Sequence, residues 1–142
     1  MHIHGQCHCG QVQFTALVDP TQVSICHCTD CQTFSGAPFR ASVRPPSHQV
    51  NLTGEVTEYV KTADSGNARV QGFCGRCGTN LYTTAQQDRS LMGLRLGCVA
   101  EREQLVPRQQ LWGQSALPWL ASLPELPCHT RGPDSDRQPH CP

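Results

Sequence analysis

Short alternations of apolar and polar residues run along the chain. Val12, Phe14 and Ala16 alternate with Gln11, Gln13 and Thr15, which is the period of a strand with one buried face. Asp19-Pro20 ends that pattern, and Val23-Ser24-Ile25 starts a second short strand. Further strands are predicted over 39–43, 50–52, 56–61, 69–73, 80–84, 91–99 and 108–112. Arg44-Pro45-Pro46 closes the 39–43 strand, because proline donates nothing to a ladder. Thr53-Gly54-Glu55 reads as the turn of a hairpin, 62–68 as a polar turn and 33–38 as a loop. Gly93 and Gly97 are expected to weaken or bend the 91–99 strand. No long helical period and no internal repeat is present. The pattern predicts a mostly β, largely antiparallel domain.

Composition narrows this picture. A chain of 142 residues suits one domain. Its hydrophobic fraction of 37% lies below the usual ~45–50%, so the core is expected to be modest. Eleven basic and eleven acidic residues cancel, and no basic run occurs, so nucleic acid and anionic membrane surfaces gain no electrostatic support as partners. No apolar stretch approaches the ~18 residues of a membrane span, and 1–6 lack the charged and apolar regions of a signal peptide. The expected location is therefore cytoplasmic.

Ten cysteines in such a chain call for a metal more than for disulfides. Cys26, Cys28 and Cys31 form C-x-C-x-x-C. Extended backbone would point Cys26 and Cys28 to one side, and a turn through Thr29 and Asp30 would return Cys31 to the same point. Three thiolates fill three corners of a zinc tetrahedron and leave the fourth for water or substrate, the arrangement of catalytic sites. Cys7-His8-Cys9 supplies another pair, placed by the same reasoning on one strand face. Cys74-Gly75-Arg76-Cys77-Gly78 has the form of a zinc knuckle, with glycines permitting the tight turn.

Four plus three is the natural division. Cys7, Cys9, Cys74 and Cys77 would close a structural zinc site, and Cys26, Cys28 and Cys31 would hold a second zinc. A rival pairing joins the knuckle to Cys26 and Cys28, but it strands Cys31 and leaves the first C-x-C without a purpose. His8 and His27 lie between paired cysteines and are expected to face away from the sulfurs. Cys98 reads as a small buried hydrophobe, and Cys128 and Cys141 as tail residues able to bind metal only opportunistically. Trp112, Trp119 and Phe39 read as core or rim.

The three cysteine motifs in this order, with G-x-C-x-C-G first and F-C-x-x-C-G-T in mid-chain, resemble the glutathione-dependent formaldehyde-activating enzyme family, which shares its domain with the centromere protein V group. The resemblance extends over 3–128, including the stretch from Trp112 to Trp119. The tail, 129–142, matches nothing and is expected to be disordered. The resemblance implies an Mss4-like β-tent of small antiparallel sheets around two zinc ions. Its structural ligands fall on Cys7, Cys9, Cys74 and Cys77, and its second-zinc ligands on Cys26, Cys28 and Cys31. It also implies a carbon–sulfur lyase that combines formaldehyde with glutathione to give S-hydroxymethylglutathione.

Two functions are weighed. In the first, a soft, thiolate-rich zinc takes a substrate thiol, with glutathione as co-substrate, and the thiolate attacks an aldehyde. The proton donor would come from Asp30, His27 or Thr29. In the second, the domain is a non-catalytic, zinc-stabilised protein-binding module whose second zinc is closed by a histidine or another cysteine. Redox sensing by exposed thiols is a weaker third, since zinc protects its ligands. The expected partners are a small thiol and an aldehyde, and no oligomeric state follows.

Overall fold

The computed structural model describes residues 1–63, 65–139 and 141. The chain opens with β1 (His2–Gln6), β2 (Gln13–Leu17) and β3 (Val23–Cys26), followed by a short helix, α1 (Thr29–Ser35), and β4 (Arg40–Val43). Next come β5 (Val50–Thr53), β6 (Thr57–Thr62), β7 (Ala68–Phe73), β8 (Asn80–Ala85), β9 (Gly93–Arg95) and β10 (Gln109–Leu111). Two short strands, β11 (Cys128–His129) and β12 (Arg137–Gln138), close it.

Two sheets carry the domain. A three-stranded sheet runs β1-β2-β5, and a seven-stranded sheet runs β10-β3-β4-β9-β8-β7-β6. Every pairing in them is antiparallel except β10 with β3. The predicted mostly β architecture is thus the observed one. The hairpin expected around Thr53-Gly54-Glu55 does not form. Instead β5 pairs with β2 in the small sheet while β6 pairs with β7 in the large one, so this link carries the chain between sheets. The strand expected over 91–99 shortens to β9, and Leu96–Cys98 turns into a 3-10 segment.

One apolar cluster joins the sheets. Ile3, Phe14 and Ala16 from the small sheet meet Val23, Val43, Leu81, Tyr82 and Leu94 from the large one, with Val12, Val99 and Leu105 from the connections. The alternation of Val12, Phe14 and Ala16 is the buried face foreseen from the sequence. Leu81 has no partner in the β7–β8 register, which steps from Gly72↔Tyr82 to Phe73↔Asn80. This bulge lets both Leu81 and Tyr82 reach the core while Thr83 faces the other side.

Two cross-strand pairs set an aromatic ring over a glycine. Phe14 lies opposite Gly5, and Tyr82 opposite Gly72. A Cβ at Gly72 would stand 2.4 Å from the Tyr82 ring. That ring cannot easily move, because its hydroxyl donates to Glu58 at 2.7 Å and Glu58 is itself gripped by both Arg89 nitrogens at 2.7 and 2.9 Å. Gly72→Ala is therefore expected to cost about 1–3 kcal/mol, the usual range for overpacking, read as a lower denaturant midpoint at unchanged slope. A midpoint equal to wild type would refute the close packing.

The tail, expected to be disordered, instead carries the β11–β12 ladder, and Cys128 and Cys141, expected as opportunistic metal ligands, are joined in a disulfide. Among the described residues no helix is long and apolar enough to cross a membrane.

Candidate metal centres and their pocket

The first cysteine pair does not lie on a strand. Cys7 follows β1 and starts a turn closed by Gly10, whose N–H bonds to the Cys7 carbonyl at 3.0 Å and whose φ is 76°. The Val12 N–H points at the Cys7 sulfur, 3.2 Å away. The Cys74–Cys77 turn has the expected knuckle form. Gly78 N–H bonds to the Cys74 carbonyl at 2.8 Å, with Gly78 at φ 73°, and Cys74 N–H bonds to Thr79 at 3.0 Å.

These two turns meet, and all four sulfurs lie within 4.8 Å of one another. Cys7 and Cys9 sulfurs are 3.6 Å apart, and Cys9 and Cys74 sulfurs 3.8 Å. A tetrahedron with metal–sulfur bonds of ~2.3 Å has edges of about 3.8 Å, so the spacing fits a zinc-sized ion. Cys7 and Cys74 are fully buried in the apolar cluster, which makes this centre part of the core.

The second group is built by a strand end and a helix start. Cys26 is the last residue of β3, and Cys28 caps α1, its sulfur accepting the Cys31 N–H at 3.4 Å. The segment expected as a turn at Thr29 and Asp30, and as loop from 33, is this helix, ended by Gly36 in left-handed conformation. The helix brings Cys31 back by its first turn. Cys26 and Cys28 sulfurs are 3.5 Å apart, and all three lie within 4.8 Å. Among the described residues, no fourth His, Cys, Asp or Glu donor joins this group.

Cys26 and Cys31 compete for a single ionisation. The Cys31 thiol, the neighbouring Cys28 and the Arg40 charge hold Cys26 down to about 5, while the same contact with Cys26 and burial push Cys31 up. A divalent cation removes this conflict. In the other group, the Thr79 hydroxyl and amide hold the Cys77 thiol down to about 5.

The trio opens into a cavity of about 340 Å³. Its floor is the polar face of the large sheet: Cys26 from β3, Ser42 and Arg40 from β4, Arg69 and Gln71 from β7, Thr83 from β8 and Arg95 from β9. These side chains alternate with core residues such as Val43, Val70 and Leu94. Trp112 stands at the rim, about half exposed, with φ 58°, a conformation that costs a bulky residue energy and that tends to persist at functional sites.

Of the three proton-donor candidates, Asp30 and Thr29 line the cavity and His27 does not. Asp30 is ion-paired with Lys61. His27 is buried, its Nε2 lies 2.8 Å from Gln110 and its ring meets Phe39 edge-on at 5.7 Å. His8 is exposed. Cys98 is half-buried, packs against the core and donates to the Asn80 carbonyl at 3.0 Å. Trp119 is exposed.

A family model described as glutathione-dependent formaldehyde-activating enzyme matches residues 2–115. The chain belongs to this family. An uncharacterized lyase from Schizosaccharomyces pombe is 28% identical over 78 residues, 55% of this chain and 54% of that protein, so the match spans about half of that curated relative. The crystal structure of a Rhodobacter sphaeroides protein superposes on this family member with a TM-score of 0.58 at 15% identity. It covers 75% of this chain and 98% of that one, a likeness of fold.

Reading single motifs missed Arg40, Arg44, Lys61, Arg69 and Arg95, all of which line the cavity. Their signal was the alternation within each strand, Arg40 with Ser42 and Arg69 with Gln71, opposite the apolar positions.

Proposed function

We propose that the chain is a zinc-dependent carbon–sulfur lyase that joins a thiol to an aldehyde, in the manner of an S-(hydroxymethyl)glutathione synthase, with zinc on Cys7, Cys9, Cys74 and Cys77 for structure and zinc on Cys26, Cys28 and Cys31 for chemistry. The observation that carries this reading is the second sulfur trio: it stands at the edge of a cavity, and no fourth ligating group is among its described neighbours. A zinc ion there would supply one open, sulfur-seeking position, keeping a substrate thiol as thiolate near neutral pH, where a free thiol of pKa ~8.5 is only about 3% ionised.

The chain's own residues would do the rest. The Cys26, Cys28 and Cys31 sulfurs orient the incoming thiol toward the cavity. Asp30, as the carboxylate of an ion pair, accepts rather than donates, so Lys61, whose ammonium it positions, is the group that can pass a proton to the hemithioacetal oxygen. The thiol's own proton passes to solvent as it becomes the thiolate. Attack forms the carbon–sulfur bond, the carbonyl electron pair moves to oxygen, the oxygen takes the Lys61 proton, and solvent returns a proton to Lys61. The binding-module alternative needs a protein ligand to close the second centre, and His27, its nearest histidine in sequence, is turned to Gln110 and Phe39.

Cobalt substitution tests the reading. Adding glutathione to the cobalt-loaded protein is expected to produce a new sulfur-to-metal absorption band that saturates with one thiol per chain. An unaltered spectrum at millimolar thiol would rule out a sulfur-accepting centre.

A further inference from the structure

The cavity beside the sulfur trio carries more positive charge than the proposed chemistry uses. Arg40, Arg44, Arg69, Arg95 and Lys61 line it, and Asp30 is the single carboxylate among its described lining residues. Among the described lining residues the arginines outnumber the carboxylates, and a zinc with three thiolates would add only one net negative charge. In a chain whose total charge is zero, this concentration is a property of the fold.

Arg95 is its buried centre, only 5% exposed. One terminal nitrogen donates to Ser42 at 2.9 Å and to the Gly93 carbonyl at 3.4 Å, and the other donates to Gln71 at 3.1 Å. Arg40 donates to the same Gln71 oxygen at 3.0 Å, so two guanidinium groups share one neutral acceptor. Arg95 Nε is buried, with no hydrogen-bond partner among the described residues. Burial, and then repulsion from Arg40 and Arg69, press the Arg95 pKa down to about 9. Burial and the neighbouring arginines lower Arg69 as well. Buried like charges without a carboxylate are costly, and a bound anion relieves that cost.

We propose that Arg95 and Arg69, with Arg40 and Arg44 beside them, form a carboxylate-binding subsite, and that the thiol substrate is an acidic one: its carboxylates lie on the arginines while its sulfur reaches Cys26, Cys28 and Cys31. The sulfur half rests on the function proposed above; the anion half stands on the cavity alone. A volume of about 340 Å³ is at the low end of small-molecule sites, which favours a compact dicarboxylic thiol. Guanidinium groups suit this role because their planar fork matches a carboxylate.

Titration calorimetry on the zinc-loaded full chain tests the subsite with mercaptosuccinate, the neutral thiol thioglycerol, sulfur-free succinate and inorganic phosphate. Mercaptosuccinate is expected to bind roughly ten- to a hundred-fold tighter than thioglycerol, the scale of one or two charged hydrogen bonds, and the ratio shrinks as salt is added. Succinate is expected to bind and to compete. Arg69→Gln, at a half-buried position, reduces the ratio by about tenfold, and Arg69→Lys recovers part of it. Arg95→Gln does the same if its melting curve remains cooperative, and Arg69→Gln carries the test if it does not. Equal affinity for the two thiols, or an unchanged ratio in folded Arg69→Gln protein, overturns the subsite. Phosphate binding tighter than succinate overturns the carboxylate assignment. Arginine-dependent succinate binding without any thiol-induced cobalt band would keep the subsite and remove the lyase reading instead.

Discussion

Cys74→Ala is expected to leave the protein unfolded or molten at 25 °C, with its zinc content reduced. Cys74 has no solvent exposure, belongs to the apolar cluster and shares a four-sulfur group with Cys7, Cys9 and Cys77. That group ties the turn after β1 to the turn between β7 and β8, with Cys9 and Cys74 separated by 65 positions in sequence. Closing so long a loop by covalent-like bonds removes much of the unfolded chain's freedom. Apparent binding energies of structural zinc run to about 10–16 kcal/mol, while a whole domain is typically stable by only about 5–15 kcal/mol. Loss of one ligand from the four does not remove all of that energy, but the small core leaves little to absorb what goes. Circular dichroism with metal analysis reads the result. Cys98→Ala, at a half-buried cysteine outside both groups, is the control and is expected to cost no more than about 2 kcal/mol. A Cys74→Ala protein that melts like wild type would show that the four sulfurs do not hold the fold.

Much of this arrangement was open to reading in advance. Cysteine spacing alone divided seven thiols into a four and a three, because two-residue offers such as Cys7/Cys9 and Cys74/Cys77 complement each other. The local backbone at those pairs was harder to foresee. A C-x-C reads as extended chain, yet Gly10 at positive φ folds Cys7 and Cys9 into a turn. A C-x-x-C after it reads as a turn, yet the Cys28 sulfur accepts an amide and starts a helix. In both cases a sulfur acts as a backbone hydrogen-bond acceptor, a role that residue-type propensities do not weigh.

The cationic cavity was hidden for a different reason. Arg40, Arg69 and Arg95 are spread over more than fifty positions and form no run. Only the strand order β4-β9-β8-β7 sets them on one face, and strand order is decided by pairings distant in sequence. The break between β5 and β6 follows the same logic: a turn-forming Gly54 was visible, but its use to change sheets was not.

Cys28→Ser is expected to produce a folded protein that holds one zinc instead of two and shows no thiol-induced cobalt band. Serine is a poor ligand for a soft site, so the second centre loses one of its three donors, and two thiolates bind zinc far more weakly. The fold should survive because Cys28 and Cys26 are only partly exposed at the cavity edge and neither belongs to the apolar cluster. The choice of serine separates two roles of this side chain. The Cys28 sulfur also caps α1, and a serine hydroxyl can accept the Cys31 amide in its place. Cys28→Ala removes both roles and should be about 1 kcal/mol less stable than Cys28→Ser, with the same loss of zinc. Equal melting of the two would deny the cap. Retention of two zinc ions by both would mean that a group other than this cysteine completes the centre, and the open position for a thiol would then have to be given up.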